Sequence, residues 1–136
     1  MGYELRPHTA DVAVEATGET LGAAFGAAAD GMAAAMADEW PDSGERHEIR
    51  VSAEGREALL FDYLDELIYE RDIRSVLPVD NVGVVTEDAD GWHVEGTYRG
   101  VDLAAVTARD LKAITYSEMV IEETADGWRI YVVFDV

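Results

Sequence analysis

The last ten residues, GWRIYVVFDV, constrain the fold more than any other stretch of this chain. Trp128, Ile130, Val132 and Phe134 alternate along one side of an extended segment. Tyr131 and Val133 make the opposite side apolar too. A strand with one wet face alternates apolar and polar residues, so a strand apolar on both faces belongs inside a sheet. The prediction is an internal C-terminal strand that runs to Val136, with Asp135 just before the end. The tetrapeptide ADGW that opens this strand also occurs at residues 89–92, where Trp92, Val94, Gly96 and Tyr98 alternate in the same way. Asp-Gly suits tight hairpins because it tolerates positive φ. Two copies predict two hairpin turns, not a repeat architecture.

Upstream of residue 78 the apolar period becomes helical. Thr20 is a candidate N-cap, followed by Leu21, Phe25, Ala28, Met32 and Met36 close to the helical spacing. Met32 and Met36 read as core filling. This helix should end before the loop marked by Pro41 and Gly44. A second helix is predicted over 55–73, burying Leu60, Leu64, Leu67 and Ile68, with Leu59 and Tyr63 widening the apolar face. Asp62, Asp65 and Glu66 fall largely on its solvent side. Short strands are expected at 12–16 and 46–54. The expected fold is therefore α+β, with two principal helices packed on a largely antiparallel or mixed β-sheet. At 136 residues and 49% hydrophobic content, one domain spanning 1–136 is expected.

Several function classes are excluded by composition. There is no cysteine, which rules out disulfides, thiolate zinc sites and cysteine nucleophiles. No signal peptide and no apolar run of about 20 residues is present, so no membrane association and a cytoplasmic location are expected. Against 29 acidic residues stand only 10 basic ones, for a formal net charge of −19. Such a surface repels a phosphate backbone, and stable direct binding to nucleic acid is not expected. The charge pattern resembles that of proteins from extreme halophiles, where salt screens self-repulsion, and a haloarchaeal source is expected.

The chemistry-bearing residues are few. The glycines form neither a Walker loop nor a dinucleotide fingerprint, and Ser117 lies outside any nucleophile elbow. His8, His47 and His93 lack zinc-ligand spacing. His8 fits a base, a metal neighbour or a hydrogen-bonded structural residue. Asp11 closes the polar segment HTAD at 8–11, just before an apolar strand. Asp135 either caps the sheet end in water or, with a terminal carboxylate beside it, supplies hard oxygen donors to calcium or magnesium. A shared metal would require Asp11 and Asp135 to meet in space. Lys112 is the only lysine in a chain with nine arginines. It suits an ordinary salt bridge, a phosphate contact or a partner contact.

HTAD at 8–11, ALLFDYLDELIY at 58–69, LKAITY at 111–116 and the final FDV, in that order, resemble the archease family over nearly the whole chain. The resemblance implies a small α+β fold. It implies a non-ligase protein cofactor, not an enzyme, which activates the RtcB-type RNA ligase of tRNA splicing and RNA repair. Such a cofactor promotes guanylylation of the ligase and repeated turnover. The partner ligase would use the GTP, which is not expected to bind here alone. The resemblance further implies a divalent metal, usually calcium, at Asp11, Asp135 and Val136. His8 and Lys112, singled out above on their own chemistry, are the candidate partner or activation residues. Ser117 departs from the family, which commonly has histidine after the KAxTY-like stretch. A general chaperone-like acidic interaction protein is the alternative reading, and a metal-dependent hydrolase a further one.

Overall fold

The computed structural model describes residues 2–8 and 11–136, with side chains at 2–5 and from 11 onward. Its elements are β1 (Gly2–His8), β2 (Asp11–Gly18), α1 (Leu21–Met36), β3 (Glu45–Ala53), α2 (Arg56–Arg74), β4 (Val76–Asp88), β5 (Gly91–Asp102), β6 (Ala113–Thr124) and β7 (Gly127–Asp135). The strands form two sheets, ordered β1-β2-β7-β6 and β3-β5-β4, and every pairing is antiparallel. The α+β class and the two helices agree with expectation. The expected single sheet is in fact two.

Both helices touch both sheets. Helix α1 packs on β1, β2 and β7 on one side and β4 on the other, while α2 meets β6 and all three strands of the smaller sheet. This placement changes the reading of α1. Its stripe of Leu21, Phe25, Ala28, Met32 and Met36 is buried, but so are most of the alanines and glycines between them. Small residues fill the other faces because strands approach there. A Cβ at Gly26 would stand 2.7 Å from the Asn81 carbonyl oxygen of β4. The predicted cap holds: the Thr20 hydroxyl accepts the Ala23 N–H at 3.0 Å. At the other end Arg109 donates to the Ala35 carbonyl and pairs with Asp38, closing the C-terminal turn.

Helix α2 buries Leu59, Leu60, Tyr63, Leu64, Leu67 and Ile68, as its period predicts, and exposes Asp62 and Asp65. Arg71 and Arg74 occupy its last turn and Glu57 its first, each complementing the helix dipole. Strand β7 lies between β2 and β6, with Ile130, Val132, Val133 and Phe134 all buried. Its two-sided apolarity thus reports an interior position.

The two ADGW copies do form hairpins, with Ala-Asp as the two-residue loop and glycine as the first paired residue. Positive φ is carried by Gly91 (120°) and Gly127 (153°), not by the aspartates. Each hairpin delivers its tryptophan to the same place. The Arg56 guanidinium, at the start of α2, lies 5.9 Å from the Trp92 ring and 5.4 Å from the Trp128 ring. One cation thereby joins the two sheets.

Candidate functional site

One end of the larger sheet gathers the residues singled out by the sequence. Strand register sets His8 opposite Asp11, Asp11 opposite Asp135, and Asp135 opposite Ala113. Residues directly opposite in antiparallel strands project from the same face, with Cβ atoms about 5 Å apart. Asp11 and Asp135, separated by nearly the whole chain, are therefore immediate neighbours. Lys112 joins the row through its backbone, whose N–H donates to the Asp135 carbonyl at 2.9 Å. The Lys112 side chain is exposed beside it. His8 is placed by its backbone only, and Thr9 and Ala10 of the HTAD segment lie outside the described residues.

The row stands on a rigid footing. One residue inward on the opposite face, Phe134 is fully buried. The next pair on the row's own face, Ala13 and Val133, is buried as well. The carboxylates emerge where this packing ends: Asp11 is half-buried, while Asp135 and Val136 are exposed. Like charges directly opposite on a sheet oppose one another.

The donor set fits a hard divalent ion. Asp11 and Asp135 supply carboxylate oxygens, and the main-chain oxygens of Asp135 and Val136 lie next to them in the chain. Calcium and magnesium take such oxygen ligands together with water. Among the described residues no cluster of three or more His, Asp or Glu side chains forms a cage.

Farther along this face, Arg129 binds Glu15 at 2.7 Å and Glu122 at 3.0 Å. Its bond to Glu15 outweighs burial and holds the guanidinium above the usual arginine range. Beside this network β6 departs from regular pairing. Thr115 pairs with Val133 and Val120 with Tyr131, so Tyr116 to Met119 stand opposite Val132 alone. Glu118 within this bulge has φ of 60°, and Tyr116 stacks on Phe61 at 4.5 Å. Ser117, where the resemblance leads one to expect histidine, sits on the exposed bulge. The bulge was not foreseen. Its only trace in the sequence is the polar break after LKAITY.

A second constellation was also missed. Ser52 Oγ lies 2.7 Å from His93 Nδ1, and His93 Nε2 lies 2.9 Å from Asp88. Ser52 and His93 are register partners in β3 and β5, so a cross-strand contact accounts for the first bond. The bond from His93 and that from the Asp90 N–H hold the Asp88 carboxyl below its usual range. Nucleophilic catalysis would also require oxyanion donors around a concave substrate site. A cleft on this sheet is lined by other residues, among them Glu48, Arg50, Val84 and Glu95.

Residues 3–136 match the model of the Archease protein family (MTH1598/TM1083). A protein archease of Archaeoglobus fulgidus is 34% identical over the full length of both chains. That of Methanosarcina acetivorans is 31% identical, covering 98% of this chain and 95% of the other. The solution structure of Methanobacterium thermoautotrophicum protein 1598 superposes with a TM-score of 0.85, covering 99% of each chain at 29% identity. The crystal structure of an archease, "possible chaperone", from Thermotoga maritima shares the fold, with a TM-score of 0.66 and 22% identity over 96% of each chain. This chain belongs to the archease family.

Proposed function

We propose that this protein activates an RtcB-type RNA ligase in tRNA splicing and RNA repair, promoting guanylylation of the ligase and its repeated turnover. The direct opposition of Asp11 and Asp135 in β2 and β7 is the observation that carries this reading. It brings together two of the three residues at which the family resemblance implies a divalent ion, and Val136 follows directly in the chain. The words "possible chaperone" used of the Thermotoga maritima protein are consistent with action on another protein. The charge of −19 favours a protein partner over RNA.

In this reading Asp11, Asp135 and the main-chain oxygens of Val136 hold the ion, most naturally calcium. A bound divalent ion supplies a concentrated positive charge that attracts oxygen ligands. The protein's own part is to fix the carboxylates on a packed sheet end and to present Lys112 beside them. Lys112 offers a compact charge to a ligase carboxylate or to a bound phosphate. The ligase performs the nucleotidyl transfer and binds the GTP. The cytoplasm, where such a ligase works, is the proposed location, and a haloarchaeal cell the proposed setting.

Multiple-turnover ligation with the cognate ligase, GTP and a divalent metal tests this function. Substoichiometric protein should raise the number of turnovers, and Asp11→Ala or Lys112→Ala should lower the stimulation by tenfold or more. Folded wild-type protein that leaves turnover unchanged across salt and metal concentrations overturns the reading. A protein that seals or hydrolyses RNA alone would favour the hydrolase alternative.

A further inference from the structure

The outward face of α2 departs from what a solvated helix needs. Phe61, Asp65, Tyr69 and Ile73 follow one another at intervals of four, which aligns them along one side of the helix. Tyr69 and Ile73 are each 55% exposed, and Tyr116 from the β6 bulge, 54% exposed, extends the strip by stacking on Phe61. The inner face of the same helix is fully packed, so these side chains are not left over from an incomplete core.

The charges on this strip are equally unusual. Asp62 and Glu66 stand at i,i+4, a spacing at which like charges destabilise a helix, and the buried Glu70, bound by Tyr98 and Arg74, lies at the next such step. Burial, then Glu70 and Asp65, push the Glu66 carboxyl above its usual range. Arg74 and Arg71 turn instead to Glu70 and Asp72. Among the described residues no basic group pairs with Asp62, Asp65 or Glu66. Salt adaptation accounts for acidic residues on a surface, but it gives no reason to expose tyrosine and isoleucine among them. An apolar strip rimmed by uncompensated carboxylates complements a segment that carries apolar anchors flanked by lysine or arginine. The same carboxylates disfavour a nucleic acid.

Helix α2 also lies against β6 and the segment just before it. The Arg71 guanidinium reaches the Leu111 carbonyl, next to Lys112, while Phe61 holds Tyr116 five residues farther along β6. We infer that the outward face of α2, with Tyr116, docks a cationic amphipathic segment of the partner protein. This rests on the ligase-activator reading and identifies the chemistry of the ligase surface that binds.

Equilibrium binding of the immobilised cognate ligase tests the inference, in salt that keeps both proteins folded. The comparison needs wild type, Tyr69→Ser/Ile73→Ser and Asp65→Asn/Glu66→Gln, each with its circular dichroism and melting temperature. The apolar double variant should bind at least tenfold more weakly. The charge-neutralised variant should bind at least threefold more weakly while melting no lower than wild type, because neutralisation relieves repulsion within the helix. A merely structural role would move melting and binding together. Wild type that binds while both variants bind equally well overturns this inference alone. Folded wild type that binds no ligase overturns the ligase reading, and this inference with it.

Discussion

Asp30 shows how much of a residue's character is set by distant neighbours. It lies in the alanine-rich middle of α1, where its sequence context suggests an ordinary helix-surface acid. In the fold its carboxylate accepts the backbone N–H and the side-chain amide of Asn81, each at 2.9 Å. Burial raises its pKa, and the two bonds from Asn81 only partly oppose the shift. A carboxyl with a raised folded-state pKa costs stability above that value, and the cost disappears as pH falls through it. Asp30→Asn keeps the acceptor and removes the charge, so it should melt higher than wild type at pH 7. Wild type should then close the gap as pH falls toward 4, and melting curves over this range would reveal a constant gap if the account is wrong. The carboxylate pair shows the same limit of sequence reading. Asp11 and Asp135 were nameable by resemblance, whereas their opposition depends on the β2–β7 register, which no local pattern encodes. His8 and Lys112 share the row through backbone register, and their side chains as partner groups remain part of the proposal.

Elements with one clean period were legible; elements shaped by tertiary approach were not. The spacing of Leu60, Leu64 and Leu67 and the two-sided apolarity of β7 placed α2 and the inner strand correctly. Strand β1 escaped because Pro7 argues against a strand, although an edge strand such as this one tolerates it. The second hairpin implied a strand before residue 125, but not the Tyr116–Met119 bulge, which breaks the alternation of β6. In α1 the apolar stripe was legible, but not that the small residues between, such as Gly22 and Gly26, give clearance for β4. Gly26→Ala should therefore destabilise by about 1–3 kcal/mol, as overpacking does. This would hold although alanine is the better helix former by about 1 kcal/mol. Urea unfolding decides the sign. The repeated ADGW likewise acquires its meaning from a third element. Arg56→Ala should cost about 0.5–2 kcal/mol and change the near-ultraviolet dichroism of Trp92 and Trp128. An unaltered tryptophan spectrum would show that the arginine does not organise the rings.

At the scale of the whole molecule, two sheets enclosing two helices give a well-packed interior beneath a surface of net charge −19. Self-repulsion of that size opposes compaction, and screening by salt relieves it. The folded fraction should rise from low to multimolar KCl, and a fold indifferent to salt would remove the halophilic interpretation. The same architecture fixes Asp11 of β2 and Asp135 of β7 side by side on a buried support. The central claim is that this sheet end works on a partner ligase rather than on RNA. Its most direct test is the amount of guanylylated ligase formed with GTP and a divalent metal, without RNA, in the presence of wild type or Asp135→Ala. The account predicts that wild type accelerates guanylylation and that folded Asp135→Ala loses most of the acceleration. Equal guanylylation with wild type, with the variant and with neither would contradict it.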